Sequence, residues 1–527
     1  MLFNSPEFIF LFLPIALLIF FLLGRISNQR VAIAWLVAAS LFFYAKSNPV
    51  FLLLLIFSSG FNYCISLALK NQLLFDRWKI ALSQKWLLGI GVTANLVVLG
   101  YFKYANFFIN TVNQLSGTSF SIEKIFLPLA ISFFTFQQIS YLVDVYRGEA
   151  KQETFLDYLL FVSFFPKLIA GPIVRHKDLM PQFEERSTYQ FNQENFVVGI
   201  TIFSMGFFKK AIFASTMAAL ANPIFDLAAK GVNLTFFEVW VGALAYTLQL
   251  YFDFSGYSDM AIGIARMFGI LLPLNFDSPY KALNISDFWR RWHITLSNFL
   301  RDYIYIPLGG NRKGNFRRYF NLMITMLLGG LWHGAGWNFV IWGGLHGAYL
   351  VIHRQWQLLR KSWGQDLQKS SLWSRWLARI LTFLAVMISW IFFRAENLKA
   401  AMIMLTGGIG FNGVSLPPFL SKRLLFIQNP GIRFDGLMPN LEINPWYAIS
   451  VICLLLAIAW FVPNTQEWMA QYKPALDYQP SKTAHPFWQK LQWQPNLFFG
   501  ILFGLIWFFC CKTFLEATPS DFIYFNF

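Results

Sequence analysis

Residues 319–353 read YFNLMITMLLGGLWHGAGWNFVIWGGLHGAYLVIH. Crossing roughly 30 Å of hydrocarbon takes about 20 residues, so this apolar stretch can enter a bilayer and is too long to cross it once. It nevertheless carries His333, fourteen positions beyond Tyr319, which is about 21 Å along a helix at 1.5 Å per residue. An ionisable side chain at that depth is costly and is expected to face a protein interior or cavity, which makes it a functional candidate. Gly329, Gly330, Gly334 and Gly336 surround it, loosening the helix and letting a neighbouring helix or a substrate approach the backbone. A membrane histidine is either a satisfied interhelical hydrogen-bonder or a catalyst. The glycine break, with Trp332 and Trp337 alongside, favours the catalyst.

The rest of the chain suits a membrane. Of 527 residues, 56% are hydrophobic, 19% aromatic and only 13% charged, against roughly 25% charged in an ordinary soluble domain. The 61 Phe and 20 Trp fit lipid-facing helices with aromatic belts at the headgroups. Further apolar runs lie near 6–24, 31–46, 49–69, 86–101, 120–142, 155–174, 194–224, 236–270, 374–396, 445–463 and 496–516. Those at 194–224 and 236–270 again exceed one span, and 120–142 and 398–411 read as broken or re-entrant. At about 20 residues per span, roughly ten to twelve crossings are expected. The fold class is therefore all-α: a polytopic transmembrane helical bundle with short re-entrant or interfacial helices, forming one multi-pass domain over 1–527.

The formal charge of +16, from 42 Lys+Arg against 26 Asp+Glu, sits mainly between apolar runs. That is the positive-inside pattern; it points to membrane lipid and not to nucleic acid. Arg25 and Arg30 follow the first span, and Lys70, Arg77, Lys79 and Lys85 the third, so those loops should be cytoplasmic and the N-terminus external. The same parity puts Arg147, Lys151, Arg354, Arg360 and Lys361 inside. The opening MLFNSPEF has no basic n-region and reads as part of a retained first span. Cys64, Cys453, Cys510 and Cys511 lie in apolar stretches without zinc spacing; they are expected to be buried hydrophobes, and no metal site is expected.

Residues 282–310, ALNISDFWRRWHITLSNFLRDYIYIPLGG, are too charged to face lipid and too aromatic for a plain loop. Ser286 before the apolar run resembles an N-cap, so a short helix at the cytoplasmic interface or a re-entrant element is expected. A basic anchor helix on headgroups fits, and so does a substrate site; His293 favours the second, because headgroup binding needs no imidazole. In YFDFSGYSDMAIGIARMFG (251–269), Asp259 and Arg266 are seven apart and share a helix face, where a structural ion pair would neutralise both. Asp253 lacks a local partner and is a candidate for pairing with Arg290 or Arg291. His346 and His353 fall on one helical stripe and read as packing or interfacial residues. His176 and His485 lie in polar loops and carry no signal. With no HExxH, Walker loop or GxSxG, any chemistry must rest on histidine.

Three segments, FDFSGYSDMAIGIARMFGI, NISDFWRRWHITLSNFLRDYIYIPLGGNRKG and LWHGAGWNFVIWGGLHG, resemble in order and spacing the core of the membrane-bound O-acyltransferase family. Upstream, LPLAISFFTFQQISYLVDVYRG and FFPKLIAGPIVRHKDLMPQF resemble its bacterial branch, the membrane subunit of alginate O-acetylation. The similarity runs from about 120 to 355. It implies a bundle around a central tunnel, with His333 of WHG as the catalytic histidine and His293 of RRWH as the second characteristic one. Trp332, Arg290, Arg291, Asn298, Asp302 and Tyr303 would then support the tunnel or substrate.

The resemblance also implies an acyl group, acetyl first, taken from a cytoplasmic thioester such as acetyl-CoA without a bound cofactor. The group would be passed toward hydroxyls of an extracytoplasmic polysaccharide, with an extracytoplasmic acyltransferase partner, at the cell inner membrane. Such chemistry needs a base beside the incoming hydroxyl and a site that excludes water. His333 is then the base or a transient acyl acceptor, while His293 orients substrate or stabilises an oxyanion. D-alanyl transfer, lipid O-acylation and a non-catalytic transport or scaffold role in an exopolysaccharide complex remain open. A transporter would usually show internal repeats, and none is found.

The charge pattern makes the 277–318 segment cytoplasmic. A Lys313→Cys variant, in a background without the native cysteines, should resist impermeant thiol reagents in intact cells and react once the membrane is permeabilised. Labelling from outside would reverse the topology.

Overall fold

The computed structural model describes residues 1–26, 28–46, 48–70, 83–121, 123, 125–151, 154–367, 369–421, 431–476, 478–479, 487–488 and 491–516. His485, Arg77 and Lys79, which entered the sequence reading, lie outside these. The architecture is all-α. Among the described residues the strands are Val414–Ser415 and Ile432–Arg433, paired in parallel.

Five helices among the described residues are long and apolar enough to cross a membrane: Phe8–Ile26, Pro49–Lys70, Gln84–Ser116, Gln193–Ala229 and Leu372–Arg394. Shorter apolar helices cover Gln29–Ala45, Leu398–Gly408, Pro445–Phe461 and Leu497–Thr513. Several apolar runs are divided or only partly helical, for local reasons. The run at 155–174 forms two short helices, Phe155–Ser163 and Phe165–Leu168, because Phe164 leaves the helical region at ψ 106° and Pro166 has no N–H for a continuing turn. Among the described residues of 120–142, only the part within Ile131–Tyr146 is helical. The 319–353 stretch divides into Gly314–His333 and Trp337–Ser362.

The described residues form two compact units: Met1–Phe207 with Tyr257–Leu274 and the segment from Thr465 on, and Phe208–Gly256 with Asn275–Asn464. In the first, Phe3, Phe8, Phe43 and Phe165 form a buried aromatic cluster, with Phe3 and Phe8 ring centroids 4.9 Å apart and Phe43 and Phe165 5.6 Å apart. Three of its helices are cross-linked by amides. Asn62 donates to Gln138 Oε1 at 2.7 Å, and Asn95 donates to Asn62 Oδ1 at 2.6 Å. Side-chain amides bond across membrane helices in this way because lipid offers no partner. His176, read as a loop residue, instead opens the helix His176–Glu184 and is buried against Tyr141 and Phe161.

Two expectations change in this unit. Asp259 does not pair with Arg266: its carboxylate accepts from Thr465 Oγ1 at 2.6 Å and Gln466 Nε2 at 2.7 Å, and Arg266 donates to the Tyr472 carbonyl at 3.3 Å. Two turns of helix separate the pair by about 10 Å along the axis, so a shared face brings each to a different partner. Cys510 is buried, but Cys64 is exposed, as is Cys453 of the second unit. A helix face left open by the protein is still apolar where it meets lipid, so membership of an apolar run does not imply burial within the protein.

In the second unit Gly314–His333 and Trp337–Ser362 form an antiparallel hairpin with their backbones almost in contact. A Cβ on Gly330 would run into the Phe339 carbonyl oxygen, and one on Gly343 into the Met326 carbonyl oxygen. Asn338 anchors the second helix by donating to the Ala395 carbonyl at 2.6 Å, just beyond the helix Leu372–Arg394. Neither carbonyl can move without breaking its own helix. Gly343→Val should therefore sharply lower the yield of folded, detergent-soluble protein, while Gly344→Ala, where the nearest neighbour of an added Cβ is 3.6 Å away, should be tolerated; size-exclusion profiles of both variants check this.

Candidate active site

His333 is the last residue of the helix Gly314–His333. Gly334 then turns to extended backbone at φ −157° and ψ 151°, so the side chain stands at the helix end. It is 3% exposed. The rings of Trp332, Trp342 and Phe393 surround it at centroid distances of 4.9, 5.0 and 5.2 Å. His293 lies 6.4 Å away, centroid to centroid.

His293 joins two short helices, Ile285–Arg291 and Ile294–Leu300, and takes the left-handed conformation with φ 42°. Non-glycine residues hold that conformation only where their surroundings enforce it. Asn275 does so. Its backbone carbonyl accepts the Ile294 N–H at 3.0 Å, and its Oδ1 lies 3.0 Å from His293 Nδ1. Phe254 and Trp332 face the ring at 4.8 and 6.1 Å. The junction lies outside the five candidate spans, and burial pushes the His293 imidazole down to about 3, which leaves it neutral.

Of the residues expected to support the site, Trp332 lies against both histidines. Arg290 is exposed. Arg291 pairs with Asp287 at 3.0 Å and Asp277 at 3.4 Å. Asp302 pairs with Arg301 at 2.7 Å, Tyr303 packs tilted against Phe299 at 4.8 Å, and half-buried Asn298 gives its carbonyl to the Arg301 N–H. The helix cap is Asn284, whose Oδ1 accepts the Asp287 N–H at 2.9 Å, and not Ser286; a cap stands just ahead of the first turn and bonds an N–H two or three residues on, whereas Ser286 already lies inside the helix. His346 is fully buried, taking the Trp289 indole N–H on Nδ1 at 3.3 Å and lying 2.9 Å from Ser389 Oγ through Nε2. His353 bonds Gln357 at 3.0 Å and lines a cavity of about 410 Å³ with Arg360 and Arg375.

The sequence reading did not single out Asn275, Trp342, Phe393 or Phe254. Their roles depend on segments that meet only in space. The one local signal is a lone amide in the apolar run LLPLNF ahead of the turn at Ser278 and Pro279.

Residues 87–393 match the profile of MBOAT, the membrane-bound O-acyltransferase family. The chain is 46% identical over 500 residues to a peptidoglycan O-acetyltransferase of Helicobacter pylori, covering 89% of this chain and 92% of that one. It is 45% identical over 434 residues to a probable alginate O-acetylase of Pseudomonas aeruginosa, covering 81% and 78%. A teichoic acid D-alanyltransferase of Streptococcus thermophilus is 28% identical over 284 residues, 50% of this chain and 68% of that one. With two histidines enclosed by aromatic rings and these relatives, the chain belongs to the membrane-bound O-acyltransferase family. It is an O-acyltransferase and a multi-pass membrane protein.

Asp253, expected to pair with Arg290 or Arg291, has Lys210 as its partner. Its carboxylate pairs with Lys210 Nζ at 2.6 Å, the two side chains being 6% and 1% exposed. Removing one partner of such a pair strands a buried charge and typically costs about 3–5 kcal/mol. Asp253→Ala should therefore lower the apparent melting temperature in detergent, and adding Lys210→Met should recover much of the loss. No recovery in the double variant would show that Asp253 acts beyond this pair.

Proposed function

We propose that the chain moves acetyl from a cytoplasmic thioester donor, acetyl-CoA in the simplest case, toward hydroxyls of an extracytoplasmic cell-envelope glycan at the inner membrane, with His333 as general base. The observation that carries the reading is the pairing of His333 with His293 from a distant segment, 6.4 Å apart within walls of Trp332, Trp342, Phe393 and Phe254. The relatives named for peptidoglycan and alginate O-acetylation support acetyl as the group and a glycan as the acceptor. An extracytoplasmic acyltransferase partner completing delivery belongs to the same reading.

The chemistry needs little more than this pair. The hydroxyl proton passes to the His333 imidazole as the oxygen attacks the thioester carbonyl. The new C–O bond forms, the C–S bond breaks, and the thiolate leaves with its electron pair. Aromatic walls keep out the water that would otherwise hydrolyse the thioester. Arg290, exposed beside the site segment, is suited to meeting an anionic donor at the cytoplasmic face.

General base catalysis is worth about 10² to 10⁴ in rate. In proteoliposomes given labelled acetyl-CoA with peptidoglycan fragments or alginate, His333→Ala should cut acetyl transfer at least roughly a hundredfold with a normal yield of folded protein. Retention of more than about a tenth of the wild-type rate would be incompatible with a base of that strength. Transfer from D-alanyl carrier protein but not from acetyl-CoA would move the assignment to alanylation.

A further inference from the structure

The hydrogen bonds around His293 reveal which ring nitrogen carries its proton. The Thr295 peptide N–H points at Asn275 Oδ1 at 3.4 Å, and the Thr295 hydroxyl donates to the same atom at 2.9 Å. A peptide N–H can only donate, so this position must be occupied by the amide oxygen and not by the amide NH2. That oxygen is also 3.0 Å from His293 Nδ1. Facing an acceptor, Nδ1 must bear the hydrogen, and a neutral imidazole has only one. Nε2 is left with the lone pair. It is buried and has no hydrogen-bond partner among the described residues.

A buried acceptor without a donor is unfavourable unless something supplies that donor in the working state. Here the acceptor sits on a ring packed against Trp332 and next to His333, where the incoming substrate must lie. A nitrogen bearing a lone pair cannot donate to an oxyanion, so of the two roles open to His293 only the orientation of a hydroxyl remains. A glycan carries hydroxyls beside the one that reacts. One can donate to His293 Nε2 while the reacting one surrenders its proton to His333.

We propose that Asn275 is a positioning residue that fixes His293 in the Nδ1–H tautomer, so that Nε2 accepts a hydrogen bond from a hydroxyl of the acceptor substrate. The proposal rests on the acyl-transfer reading above for the identity of the donor hydroxyl, but the tautomer does not. Asn275 is suited to the task because one residue holds three consecutive positions: it accepts from His293 Nδ1, from the Ile294 N–H and from both donors of Thr295.

Solid-state NMR on full-length protein with 15N-labelled histidine, the His293 signals being assigned by their loss in His293→Gln, reads the tautomer directly. A protonated Nδ1 and a pyridine-like Nε2 are expected, and a protonated Nε2 would overturn the proposal whatever the enzyme acylates. In the acetyl-transfer assay, Asn275→Leu should raise the acceptor KM about tenfold, the worth of one buried hydrogen bond. The kcat should change less. Asn275→Asp keeps the acceptor oxygen and should restore the KM, assayed above about pH 8 so that the added carboxylate does not charge the ring. A folded Asn275→Leu protein with unchanged acceptor KM, or an Asp variant as impaired as the Leu variant, would remove Asn275 from this role. If Asn275→Leu fails to fold, the wild-type tautomer and the Asp variant still decide. A wild type with the expected tautomer but no acetyl transfer would sink the functional reading and leave the positioning of His293 standing.

Discussion

Two carbonyl oxygens, of Met326 and Phe339, occupy the space that side chains on Gly343 and Gly330 would need, and that close approach of two helix backbones determines where His333 stands. With no side chains between them, Gly314–His333 and Trp337–Ser362 pack close enough for the end of the first helix to meet the face of the second. His333 therefore lies against Trp342 at 5.0 Å. Trp342 stacks on Trp390 at 5.6 Å with 20° between planes, and Phe393 closes on His333 from the same helix as Trp390. Larger residues at the glycines would separate these rings and open the surroundings of His333.

Low polarity governs the rest. A buried polar group without a partner costs more than a formed hydrogen bond gains, so each interior polar side chain is informative in proportion to how completely it is satisfied. Lys210 and Asp253 meet directly. Asn62, Asn95 and Gln138 satisfy one another across three helices. Asp259 accepts from Thr465 and Gln466, and such hydrogen bonds favour the charged form of a carboxylate. These arrangements rigidify the protein.

Features set by a single segment were legible in the sequence. The glycines around His333, the length of 319–353 and the aromatic and basic residues around His293 are local, and they led to the two histidines that the fold brings together. Partnership was much less legible, because it depends on segments far apart in the chain. Asp259 and Arg266 share a helical face, yet residues 465, 466 and 472 supply their partners. Lys210, on a π-helical turn, was hidden in an apolar run, while Asp253 was matched with the nearest conspicuous arginines. Breaks within apolar runs were not legible where proline or a change of backbone conformation cuts them, as at Phe164, since hydropathy sums over residues without regard to whether a helix continues through them.

Buried histidines in the second unit show why the residue type alone does not locate chemistry. In His346 the Trp289 indole N–H makes Nδ1 an acceptor, so Nε2–H must donate to Ser389 Oγ, which passes its own hydrogen to the Val386 carbonyl. Every position on that ring is engaged, and any proton transfer would have to break the bonds that tie Ile285–Arg291, Trp337–Ser362 and Leu372–Arg394 together. His293 is equally buried but is held through one nitrogen only. A histidine fastened on both sides stabilises its surroundings. Fastened on one side, with its tautomer determined by an amide oxygen, it keeps a nitrogen for an outside donor, and in an apolar site that difference separates packing from reactivity.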